Sequence, residues 1–123
     1  MRLKHREVCF LIGHGGAVLW ADASDSPLAM PDSRERWGRI WALRDQLAEI
    51  AHTHPLGPLA FSAVDETTIE ALTAALGRPL RFSVVAPNGV VSRYDGQDAL
   101  VSEAPFWVPL IRAASGMPEG EPT

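Results

Sequence analysis

The sequence predicts an α/β (α+β) fold, a mixed β-sheet flanked by helices, in the order β-β-α-β-α-β-β with a helical end. Two observations define the class: short β-prone runs bounded by glycine, proline and asparagine, and two stretches between them with helical apolar spacing. A third is size, since 123 residues with 46% apolar content can bury one real core without cross-links. A single domain is expected over residues 1–116, with residues 117–123 as a flexible C-terminal tail.

The first run, "EVCFLIG" from Glu7 to Gly13, is a strand, and "GHGG" turns the chain into a returning strand, "AVLWAD". "ASDSPLAMPDS" is a loop with two prolines. A helix is expected from Ser33 to near Ala48, capped by Asp32 or Ser33, with Trp37, Ile40, Trp41 and Leu47 as its core-facing stripe. "EIAHT" suits one buried strand, and "HPLGPLAF" is a loop. "SAVDETTIEALTAAL" is a second helix, with Ser62 as cap, Asp65 and Glu66 in its first turn, and Gly77 as its stop. "PLRFSVVA", "PNG" and "VVSRY" form a hairpin. Beyond "DGQD", Pro105 and Pro109 divide the apolar residues 99–114 into one or two short helical pieces.

Composition narrows the function. The formal charge of -4 and the absence of a basic run argue against nucleic acid as the main partner. One cysteine, Cys9, gives no intrachain disulfide and favours a reducing compartment. No apolar run reaches the roughly twenty residues of a membrane span. The basic-then-apolar N-terminus has too short an apolar part and no convincing cleavage site, so it is read as part of the fold of a cytoplasmic protein.

The chemistry gathers in residues 49–72. On a strand, residues i and i+2 share a face about 6 to 7 Å apart, so His52 and His54 can reach one zinc ion. Asp65, in the first turn of the next helix, can fold back as a third ligand. Two histidines and a carboxylate leave an open fourth position, which suits a catalytic centre rather than a structural one. Ser62 lies one helical turn before Asp65. Its hydroxyl can stabilise a developing oxyanion or simply cap the helix, and the two roles compete for one oxygen. Taken singly, each of these residues is commonplace. The ordered set, His-x-His-Pro followed by Ser-x-x-Asp across strand, loop and helix, is what points to a metal.

A hydrolytic centre of this kind also needs a carboxylate to move the water's proton. The upstream candidates are Glu7, Asp22, Asp25, Asp32, Glu35 and Glu49. Glu49 is odd-spaced from His52 and should face away, and Glu35 sits on a solvated helix side. Glu7 opens a hydrophobic strand that can lie beside "EIAHT", where desolvation would raise its pKa. Glu7 leads among them. Cys9, two residues on, is read as a small buried apolar residue, and His14 as a solvent-facing turn residue, with substrate contact as its alternative role. The four tryptophans are read as core or interface residues.

His52-Thr53-His54-Pro55, seven further residues to Ser62, and Ser62-Ala63-Val64-Asp65 resemble the signature of the JAMM (MPN-domain) metalloprotease superfamily. Its pattern is a distant glutamate, then H-[ST]-H-x7-S-x-x-D. "EVCFLIG", with Glu7 standing 45 residues before His52, is similar to the family's glutamate strand, often "E-x-x-G-L-L-x-G". The resemblance spans roughly residues 5–95. It implies an MPN-like sandwich related to the cytidine-deaminase fold. It also implies Zn2+ on His52, His54 and Asp65, Ser62 assisting the oxyanion, and Glu7 as general base and acid.

The chain departs from the family at Phe10, which stands where glycine is usual and bears on packing near the metal. Only six residues precede Glu7, where the family has a helix, and the C-terminal segment is expected to cover that face instead. There is no length for the insertion that clamps ubiquitin in specialised members. The function implied is zinc-dependent hydrolysis of a peptide or isopeptide bond at the C-terminal tail of a ubiquitin-like or small carrier protein, engaged through a groove and a strand edge. The alternatives are a catalytically idle protein-binding domain of the same fold and a zinc amidohydrolase acting on a small amide. A homodimer through a free strand edge or the Trp/Pro-rich end is permitted.

Overall fold

The computed structural model describes residues 5–24 and 34–117. The elements are β1 (Val8–Gly13), β2 (Val18–Ala23), α1 (Arg34–Ala42), β3 (Leu47–Thr53), α2 (Ala63–Leu76), β4 (Arg81–Ala86), β5 (Gly89–Tyr94), β6 (Gln97–Leu100) and α3 (Trp107–Ser115). The six strands form one sheet in the order β2-β1-β3-β4-β5-β6. Only β3 and β4 run parallel, with α2 as the crossover between them; every other pair is antiparallel. The mixed α/β class expected from the sequence is therefore present.

Strand alternation sorts the core into two layers. Val8, Phe10, Ile12, Ala51 and Val85 pack against Trp107, Val108 and Ile111 of α3. On the opposite face Cys9, Leu11, Ile50 and Phe82 meet Ile40 of α1 and Leu72 of α2. The C-terminal helix thus covers the face of β1 that carries Val8, Phe10 and Ile12. Phe10 belongs to this α3 layer, opposite to the face that carries Cys9 and His52, so its bulk does not enter the site.

Several local expectations are corrected. The first helix ends at Ala42, not near Ala48, and Leu47 is a wholly buried strand residue paired with Gly13. Residues 43–46 form a turn, in which Gln46 N and Leu47 N both donate to Leu43 O. The Arg78 guanidinium donates to Arg44 O and Leu47 O, satisfying carbonyls at the turn and strand entry. Local helix propensity loses to that tertiary contact. Trp37 and Trp41 are not core: they are 37% and 55% exposed, and only Ile40 of α1 is buried. Trp41 instead lies under the Arg44 guanidinium at 4.2 Å. Trp107, by contrast, is buried at the base of α3.

The strand β6 was not expected. Asp95 and Gly96 both have positive φ, 50° and 79°, the conformation of a two-residue hairpin turn, and they return the chain alongside β5. All four β6 side chains are exposed, so apolar patterning gave no sign of it. Residues 107–115 form one helix, because Pro109 falls in its first turn, where no backbone donor is required. Met117, placed in the tail by the sequence, is buried against the α3 layer and donates to Arg112 O, so the packed unit extends past residue 116. The expected caps Asp32 and Ser33, most of the proline loop, and residues 118–123 lie outside the described residues. Among the described residues no helix is long and apolar enough to cross a membrane.

One side chain fixes the start of β1. Val8 N donates to Thr53 Oγ1 at 2.9 Å in a buried setting, and Thr53 is fully inaccessible. Thr53→Val keeps the shape but leaves a buried N–H unpaired. It is expected to cost about 1–3 kcal/mol, measured by chemical denaturation of the two proteins.

Candidate metal centre

The site sits where β1 begins and β3 ends. In the β1–β3 ladder Cys9 pairs with His52 and Phe10 with Ala51. Continuing that register by two residues sets Glu7 opposite His54. Beyond the end of β3, His54 N donates to Val85 O at 2.8 Å, so the backbone of β4 still holds it in line. Alternation then puts His52, His54 and Glu7 on the face covered by α1 and α2.

The α2 helix supplies the third member. Ser62 is its N-cap, and its hydroxyl oxygen accepts from Asp65 N at 3.1 Å. Reciprocally, Ser62 N donates to Asp65 Oδ2 at 2.7 Å. This capping box satisfies two helix-end donors and also aims the Asp65 carboxylate. Asp65 Oδ1 lies 3.1 Å from His52 Nε2, and Oδ2 lies 3.4 Å from His54 Nε2. The two Nε2 atoms are 3.2 Å apart. In a tetrahedral shell with bonds of about 2.0–2.1 Å, ligand atoms are separated by roughly 3.3–3.4 Å. The three donors therefore already stand at the spacing that one small divalent ion requires, and among the described residues they form a group able to hold a metal.

A second hydrogen bond selects the correct imidazole tautomer. His54 Nδ1 lies 3.0 Å from the Pro58 carbonyl, which can only accept, so Nδ1 carries the proton. In neutral His54 this leaves the Nε2 lone pair directed at His52 and Asp65, as a metal ligand needs. Burial would by itself raise the Asp65 pKa, but hydrogen bonds from both histidines hold it well below the usual carboxylate range. Burial opposes charge on His54, yet the bonds to Asp65 and Pro58, with the Asp65 and Glu7 charges, raise its pKa.

Glu7 is 6% exposed. Burial raises its pKa, the neighbouring His52 and His54 pull it down, and Asp65 pushes it up again. Glu7, His52, His54, Ser62 and Asp65 all border one cavity of about 350 Å³. All five residues singled out in the sequence are thus brought together.

The remaining candidates separate from the site. Glu49 lies on the α3 side, accepting from Ser83 Oγ at 2.5 Å, as its odd spacing from His52 required. Glu35 is exposed, and Asp22 is paired with Arg36 at 2.8 Å. Asp25 and Asp32 lie outside the described residues. His14 is exposed beyond the far end of β1 from Glu7, roughly 20 Å away by strand rise, and makes no part of the cavity. Cys9 borders the cavity as a buried thiol, pushed up to about 12 by desolvation, which makes it inert.

Sequence reading missed three supporting groups: Thr53, which pins β1; the Pro58 carbonyl, which sets the His54 tautomer; and Arg36, which faces the cavity near Glu7. Thr53 was legible as the β-branched residue between the histidines. The other two depend on loop and helix placement that no local pattern encodes. Compared with known proteins, the chain matches no family model and no curated sequence.

Purified protein loaded with Zn2+ is expected to hold one ion per chain by elemental analysis, and His54→Ala none after dialysis. Protons compete for the same imidazole, whose pKa is raised, so affinity should fall as pH drops through the histidine range. Isothermal titration at several pH values measures this, and a pH-independent affinity would count against His54 as a ligand.

Proposed function

We propose that the chain is a zinc-dependent metallopeptidase or isopeptidase of the JAMM type, with an MPN-like sandwich fold. The observation that carries this reading is Glu7: a buried carboxylate on the same cavity as a ready-spaced His-His-Asp group. The motif resemblance supplies the family, and the site geometry supplies the reason to apply it.

A zinc ion held by His52, His54 and Asp65 would supply Lewis acidity that polarises a carbonyl and acidifies water. The protein's own residues do the rest. Glu7, whose carboxylate pKa burial raises, accepts a proton from the attacking water and returns it to the departing nitrogen. Ser62 Oγ is engaged as an acceptor by Asp65 N, which leaves its hydroxyl hydrogen free to donate to the oxygen of the attacked carbonyl. Capping and oxyanion assistance are therefore compatible on one side chain, in contrast to the competition expected from sequence. The capping box serves the reaction a second time by keeping the Asp65 carboxylate oriented.

The substrate class proposed is the extended tail of a small ubiquitin-like or carrier protein, or its conjugate. Among the described residues β2 and β6 are the outer strands of the sheet, the places where strand addition would occur. The bounded cavity beside the triad favours, as a second reading, hydrolysis of a small amide.

Glu7→Gln is the discriminating variant. It should retain zinc at wild-type stoichiometry while hydrolysis falls by about 10²–10⁴-fold, the usual value of a general acid–base. Full activity in that variant would remove Glu7 from the mechanism, and loss of zinc would make it a structural residue instead.

A further inference from the structure

The cavity that holds the candidate centre continues into an apolar recess. Each of its walls is a direct extension of an element that carries the chemistry. Along α2, Asp65, Thr68, Ile69 and Leu72 fall at helical spacing on one face, so the helix side that presents the ligand becomes a hydrophobic wall within one turn. Along β3, Ile50 lies two residues from His52 on the same face, next to Phe82 of β4. The third wall is α1, through Trp37 and Ile40. Protein interiors leave few voids larger than a water molecule, and the whole cavity, with the candidate metal site and the recess together, is about 350 Å³. A purely apolar cavity of about 150 Å³ is enough to bind benzene.

We propose that this recess is a specificity pocket that receives a bulky apolar side chain, leucine- or phenylalanine-sized, from a residue adjoining the scissile amide. The inference deepens the hydrolase reading and rests on it. The occupant is a side chain of the substrate rather than a free apolar molecule because the recess opens onto the ligand group itself. Glu7 and Ser62 line the same cavity as Ile69, Leu72 and Phe82, so the two groups of residues face one space. Ile69, Leu72 and Phe82 offer no hydrogen bond, so a polar or charged side chain packed against them would be desolvated, while Arg36 on the same cavity is already paired with Asp22. Glycine would leave the recess unfilled. The pocket therefore selects for size and apolarity together.

Binding can be measured without metal. N-acetyl-phenylalaninamide and N-acetyl-glycinamide are titrated into the metal-free chain and followed by amide NMR. The phenylalanine compound is expected to shift Ile69, Leu72 and Phe82, and the glycine compound to leave them still. Thr68→Trp, which puts an indole into the recess, should weaken that binding by at least about tenfold, or 1.4 kcal/mol. Should Thr68→Trp not fold, the wild-type comparison of the two compounds decides alone. Equal responses to both compounds, or shifts confined to other surfaces, overturn the proposal.

A peptide panel on the zinc-loaded chain, varied only beside the scissile bond, then separates the two readings. Cleavage with no dependence on that residue overturns the pocket and leaves the hydrolase. Selective binding with no peptide cleaved supports the apolar-ligand site and overturns the hydrolase.

Discussion

The antiparallel register between β1 and β3 is the constraint on which the site depends. Pairing Cys9 with His52 sets Glu7 against His54 and turns all of them toward the α1–α2 face. Side chains alternate with a period of two, so a slip of one residue would send Glu7 to the α3 layer and bring Val8 and Phe10 to the site. Two features resist that slip. Val8 and Phe10 are already committed to the core against Trp107 and Ile111. The Thr53 hydroxyl, lodged between the two histidines in sequence but facing the other way, accepts the Val8 N–H. The same dipeptide step therefore supplies a candidate ligand on one face and a register lock on the other.

Helix α2 contributes through its end rather than its length. An N-cap serine and an N3 aspartate would form a capping box in any helix with this sequence. Here the box faces the end of β3, so an ordinary helix-starting device also directs a carboxylate at two imidazoles. The loop between them does a related task by placing the Pro58 carbonyl on His54 Nδ1. Local backbone needs and site geometry are met by the same atoms, which is how five candidate residues come to border one cavity without a dedicated scaffold.

Much of this was legible in the sequence, and the reason is physical. Strand periodicity put His52 and His54 on one face and Glu49 on the other, and both statements hold in the structure. The serine–aspartate spacing announced a helix start, and Ser62 is the cap. What failed to be legible depended on tertiary contacts. Arg78, distant in sequence, bonds the carbonyls around the end of α1 and the start of β3, where propensity favoured a longer helix. Tryptophans at helical spacing indicated a buried stripe, but α1 buries only Ile40. The exposed β6 carries no apolar signal at all, although Asp95-Gly96 is a hairpin turn pair that could have betrayed it. The apolar recess beside the ligands was likewise unreadable, because it is made by the spacing of three elements and not by any one of them.

X-ray absorption spectroscopy of the zinc-loaded chain probes the ligand set itself. The geometry calls for two imidazole nitrogens and oxygen donors at about 2.0–2.2 Å, four-coordinate, with no sulfur in the shell. A sulfur at about 2.3 Å would bring in the buried Cys9, and a shell with fewer than two imidazoles would break the pairing of His52 and His54. Either result would contradict the centre described here.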